Sequence, residues 1–103
     1  MANTTKENLM NQVFNINDDI NKAIEENTLY EYICESLEIE FISNVSREFL
    51  GGIITIALGG PTIYINTRKR LIEGFFGADN FNLPLDNETI NELNNVLEEL
   101  FYI

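Results

Sequence analysis

The chain has 103 residues, 17 acidic and 6 basic side chains, a net charge of −11, one Cys and neither His nor Trp. That length suits one domain, and 45% apolar residues supply a modest core, while the acidity argues against a conventional nucleic-acid binder, whose surface has to neutralise phosphates. A lone Cys excludes an internal disulfide framework and a thiolate zinc cluster, and the lack of His removes Ser-His-Asp and Cys-His catalysis together with imidazole metal sites.

Residues 7–27 place Leu9, Val13, Ile16, Ile20 and Ile24 on one face of an amphipathic helix, with Met10 and Phe14 widening the stripe. Asp18, Asp19, Glu25 and Glu26 fall largely on the other side. Thr28-Leu29-Tyr30-Glu31 has the spacing of a capping box, which predicts a short second helix over 29–36 with Tyr30, Ile33 and Leu37 as inner contacts. One longer helix with Thr28 inside it is the alternative.

From Leu37 the period changes to two: Leu37, Ile39 and Phe41 point to a core, and Glu38 and Glu40 point to water. A second strand over 49–58 follows, with a turn or bulge at Gly51-Gly52. Gly59-Gly60-Pro61 breaks the chain before a strand over 62–66, and Thr67-Arg68-Lys69 forms a hairpin connection into a strand over 70–76. A helix beginning at Asn87 closes the chain. Asp86 caps it, Leu85 and Ile90 staple its first turn, and Ile90, Leu93, Val96, Leu97, Leu100 and Phe101 line its inner side. The expected fold is α+β: a four-stranded antiparallel meander flanked by an N-terminal helix, or helix pair, and a C-terminal helix, in a single domain spanning residues 1–103.

The polar start, Met1-Ala2-Asn3-Thr4-Thr5-Lys6-Glu7, lacks the apolar run of a secretory signal, and the longest apolar stretch, residues 53–58, is too short for a membrane-spanning helix. With the free Cys34, these features are those expected of a cytoplasmic protein with no membrane partner.

Charge is segregated along the chain. Residues 1–46 carry a net −7, residues 47–76 a net +2 and residues 77–103 a net −6. Carboxylates spaced along a helix or strand can take the positions of phosphates in a Lys- and Arg-lined groove and so compete with nucleic acid. The candidate groups are Asp18, Asp19, Glu25, Glu26, Glu31, Glu35, Glu38 and Glu40, with Glu88, Glu92, Glu98 and Glu99 as a second set. A solvated surface that serves only solubility is the alternative.

Catalytic patterns are absent. Gly59-Gly60-Pro61-Thr62 lacks the Lys-Ser/Thr ending of a phosphate-binding loop and reads as a turn. Arg68-Lys69-Arg70 reads as a charged hairpin tip, or as a grip for a phosphate or an acidic partner. Adjacent carboxylates such as Asp18-Asp19 and Glu98-Glu99 diverge by about 100° on a helix, which does not bring them onto one substrate or ion. No calcium-loop pattern occurs, and Cys34, without a His, reads as a small buried hydrophobe. No enzyme activity, cofactor or metal is expected.

The stretch Gly59-Gly60-Pro61-Thr62-Ile63-Tyr64-Ile65-Asn66-Thr67, followed by Glu73-Gly74-Phe75-Phe76-Gly77 and an acidic C-terminal helix, resembles small acidic proteins of phages and mobile elements in low-GC bacteria. The likeness covers roughly residues 52–103, with Phe76 where such proteins often carry Trp. Many anti-CRISPR proteins are of this kind. The resemblance implies a stoichiometric inhibitor that docks on the basic nucleic-acid-binding surface of a Cas effector, without contacting nucleic acid itself and without catalytic residues. An immunity or antitoxin protein that neutralises a basic toxin nuclease uses the same electrostatics. Tyr102 and Ile103, left over at the end of the last helix, are expected in the core or in a homodimer contact.

Overall fold

Leu9, Val13, Ile16 and Ile20 are buried along one side of the first helix, α1 (Thr5–Glu25), in a computed structural model of the chain that describes residues 5–103. The polar start over residues 1–4 lies outside the described residues. Helix α1 ends because Asn27 takes a left-handed conformation (φ 58°), with the Asn27 and Thr28 amides donating back to the Ile24 and Ala23 carbonyls. This backbone motif seals the helix end. A short α2 (Leu29–Cys34) then starts, as the two-helix reading expects, but the Thr28 side chain makes no capping bond. The turn at Asn27 sets the phase of α2, and its inner residues are Leu29 and Ile33. The expected contacts Tyr30 and Leu37 are instead exposed.

Five strands follow, not four: β1 (Glu38–Ser43), β2 (Phe49–Ala57), β3 (Thr62–Asn66), β4 (Leu71–Phe76) and β5 (Asp79–Pro84). They form one antiparallel sheet in sequence order β1-β2-β3-β4-β5. The unexpected β5 pairs with β4 along its whole length, from Phe76 opposite Asp79 to Leu71 opposite Pro84, across a tight turn with Gly77 at φ 59°. Its Asp, Asn and Pro residues are poor strand formers, yet Phe81 and Leu83 alternate with Asn80 and Asn82 and pack on the core. At a sheet edge, a polar outer row and a terminal Pro cost little.

Paired residues share a face, so register defines the two sides of the sheet. Ile54, Ile65 and Ile72 lie opposite one another on β2, β3 and β4 and are fully buried under the helices. The last helix, α3 (Asn87–Phe101), starts beside the β3–β4 turn, where Arg70 bonds Asn87, and ends beside the β1–β2 turn, where the Phe49 amide donates to the Tyr102 hydroxyl. Asp86 caps α3 by accepting from the Thr89 amide at 2.8 Å, and Leu85 and Ile90 are both buried. The Gly51-Gly52 irregularity is a bulge, with Ile42 opposite Gly51 and Ser43 opposite Phe49. No helix among the described residues is long and apolar enough to cross a membrane.

Two glycines let the helices sit close to the sheet. A Cβ on Gly74 would lie 2.8 Å from Val13 Cγ2 and 3.0 Å from Leu9 Cδ1, and one on Gly52 would lie 3.0 Å from Leu97 Cδ1. Gly74→Ala is therefore expected to cost about 1–3 kcal/mol of stability, seen as a lower urea midpoint, and the added change Val13→Ala to relieve part of the strain. The Asp86 carboxyl is held below its ordinary range by the Thr89 amide bond. Its stabilising effect is complete above the ordinary Asp pKa, about 3.9, and is lost as pH falls through the lower folded value. The stability gap between the protein and Asp86→Ala should accordingly be widest near neutral pH and narrow in acid, as followed by thermal melts across pH.

Candidate functional site

Helical spacing decides which carboxylates meet. Asp19 lies on one flank of α1 and Glu26, seven residues on and just past the helix end, follows the same side, whereas Asp18 and Glu25 are turned about 100° from them onto the outward face. The turn at Asn27 folds α2 back against that first flank. Asp19 of α1, Glu26 just after it, Glu31 of α2 and Glu35 at the C-cap of α2 thus line one depression of about 330 Å³, together with Lys22, Ala23, Thr28 and Tyr32. Four of the twelve candidate groups converge there.

The second set divides in the same way. Glu88, Glu92 and Glu99 follow one flank of α3, and Glu98 is turned away from Glu99 by about 100°. Glu92 and Glu99 line a neighbouring depression of about 230 Å³ with Ile24, Asn27, Leu29 and Tyr30. Glu38 and Glu40 stand elsewhere, exposed on the face of the sheet that carries no helix, in register with Thr55 and Ile53. The structure therefore gathers four carboxylates closely and places two beside them. Two more are on the far side of the sheet, and Asp18, Glu25, Glu88 and Glu98 are dispersed over the outer helix surfaces.

The depression is predominantly acidic, with Asp19, Glu26, Glu31 and Glu35 against Lys22. None of the twelve carboxylates makes an ion pair among the described residues, whereas Glu73 pairs with Lys69 at 3.1 Å. Tyr32, at the wall, has its phenol pushed up to about 12, first by burial and then by the Asp19 carboxylate. Tyr30, next door, is held above its ordinary range by Cys34 and by slight desolvation, with Glu99 and Glu31 adding to the effect. Among the described residues no three His, Cys, Asp or Glu side chains are placed to hold a metal ion.

Lys22 is the one cation in the lining of the depression, and the four basic residues Arg47, Arg68, Lys69 and Arg70 lie at the opposite end of the sheet. In an antiparallel meander alternate turns fall on the same end, so the β1–β2 turn with Arg47 and the β3–β4 turn with Arg68, Lys69 and Arg70 are neighbours. Tyr32 and Glu35 instead adjoin Leu37 and Ile56, at the other end of β1 and β2. The depression and the basic turns are thus at opposite ends of the sheet, whereas α3 runs beside those turns.

Several sequence expectations are corrected here. Cys34 is exposed, not a buried hydrophobe, because α2 turns Leu29 and Ile33 inward in its place. Of Leu37, Ile39 and Phe41 only Ile39 packs on the core, since β1 is an edge strand beyond most of the helical cover. Tyr102 and Ile103 are exposed and do not enter the core. The depression at the α1–α2 junction had one legible signal, the seven-residue spacing of Asp19 and Glu26; its other wall depends on the reversal at Asn27. If Asp19 lies as close to Tyr32 as this geometry requires, Asp19→Asn should lower the titration midpoint of the Tyr32 ring, followed by its NMR resonances at alkaline pH.

No protein-family model, curated protein or solved structure matches the chain.

Proposed function

We propose that the protein is a non-enzymatic inhibitor that occupies a Lys- and Arg-lined nucleic-acid-binding surface on another protein, in the manner of an anti-CRISPR protein acting on a Cas nuclease or surveillance complex. The observation that carries this reading is the convergence of Asp19, Glu26, Glu31 and Glu35, from two helices and the turns that end them, onto one depression at the end away from the basic turns. Carboxylates free of intramolecular ion pairs keep their full charge for a cationic partner, and the potential they create steers encounter. Their display on helices, with a reversal fixed by backbone hydrogen bonds, limits the ordering cost of docking.

The test is inhibition of cleavage by a panel of purified guide-loaded Cas effectors and basic toxin nucleases. Combined Asp19→Lys, Glu26→Lys, Glu31→Lys and Glu35→Lys should abolish inhibition with the fold retained by circular dichroism. Reversal of the same number of outward charges, at Asp18, Glu25, Glu88 and Glu98, should leave most of it. Inhibition should also weaken as salt is raised. Equal inhibition by the depression variant would refute the mechanism, and inhibition confined to a toxin nuclease would assign the immunity role instead.

A further inference from the structure

The sheet ends at β1 with an edge that carries neither Pro nor Lys: Glu38–Ser43 is charged only by Glu38 and Glu40, and its one irregularity lies at the Ile42–Ser43 end. The other edge, β5, ends in Pro84 and lies beneath α1, with Phe14 stacked on Phe81 at 5.6 Å. The hydrogen-bonding direction along β1 can be read from its neighbour. Gly52 turns both backbone groups toward β3, its amide donating to Thr67 Oγ1 at 2.9 Å and its carbonyl accepting from the Thr67 amide at 3.0 Å. Gly52 is the partner of Phe41, so that pair exchanges no hydrogen bonds, and the backbone groups of Phe41, and two residues back those of Ile39, point out of the sheet.

The side chains around that open row alternate in chemistry. Glu38 and Glu40 stand on the helix-free face. On the other face Ile39 packs on the core, and Phe41, 40% exposed, lies against Phe101 at 5.5 Å, which in turn meets Phe49 at a tilt and Tyr102 edge-to-face. A strand added here would meet carboxylates on one side and an aromatic shelf on the other.

We infer that the β1 edge is a strand-addition site for an extended segment of a partner protein in which Lys or Arg alternates with apolar residues. The cations would sit opposite Glu38 and Glu40, the apolar side chains beside Ile39 and Phe41, and the backbone would bond to the outward groups of Ile39 and Phe41. A second copy of this chain fits poorly. The antiparallel two-fold register that uses Ile39 and Phe41 of both copies sets Glu40 directly opposite Glu40, a like-charge pair. This site is separate from the α1–α2 depression, and the two stand or fall independently.

The probe is a short synthetic peptide alternating Lys with Val, added to the full chain and followed by amide hydrogen exchange. Slower exchange at the Ile39 and Phe41 amides, with the Glu40 amide already bonded to β2 and little changed, is the expected result. Glu38→Lys with Glu40→Lys should weaken the peptide by about tenfold and favour a Glu-alternating peptide instead. N-methylation of the peptide along its pairing edge should abolish binding, and the fourfold depression variant should bind it as before. The inference is overturned if the peptide fails to bind at millimolar concentration, if a peptide with the same Lys count clustered at one end binds equally well, or if protection appears at α1 and α2 instead.

Discussion

Ile54, Ile65 and Ile72 lie side by side on three central strands, and the fold rests on covering that row with helices. Full burial of such a side chain is worth about 1.5–3 kcal/mol, and α1 and α3 supply Leu9, Val13, Leu93 and Leu97 as the facing layer. Interiors pack at crystal-like density, so the layers have to approach until side chains interlock. Gly74 under α1 and Gly52 under α3 make that approach possible, because a methyl group at either place would overlap the helix above.

A sheet covered on one side leaves its other face and both edges to be managed by polarity. The helix-free face carries Glu38, Glu40 and the Lys69–Glu73 pair around Ile53, Tyr64 and Asn66. The outer flanks of the helices carry the rest of the negative charge. An excess of −11 on a chain of this size destabilises the compact state through self-repulsion, and the effect is strongest where carboxylates converge and outnumber the nearby cations. Four of them do so at the α1–α2 junction. That arrangement is unfavourable for the isolated molecule and favourable for a complex with a cationic surface.

Two kinds of recognition surface are therefore proposed. The depression between α1 and α2 presents four carboxylates and Lys22, the array proposed to meet a surface shaped for phosphates. The β1 edge offers unpaired backbone groups between a carboxylate row and an aromatic shelf, suited to a single extended segment. The first follows from helix geometry and the second from sheet geometry. The acidic side chains that define them come from different stretches of the chain.

Local patterns in the chain determined most of the elements. The stripe from Leu9 to Ile20, the run from Ile53 to Ile56, and the Asp86 cap with its Leu85–Ile90 staple each act within one or two turns, where period and capping chemistry are explicit. Strand β5 was harder to read because Asn80, Asn82 and Pro84 contradict strand propensity, and only pairing with β4 and cover from α1 outweigh that preference. The same holds for the surfaces. Composition showed that negative charge is abundant and segmentally divided. Which carboxylates meet, and that Cys34, Leu37 and Phe41 face solvent, was decided by the reversal at Asn27 and by the place of β1 at the sheet edge. Both are long-range consequences of packing helices on one face of a sheet, and no window of sequence contains them.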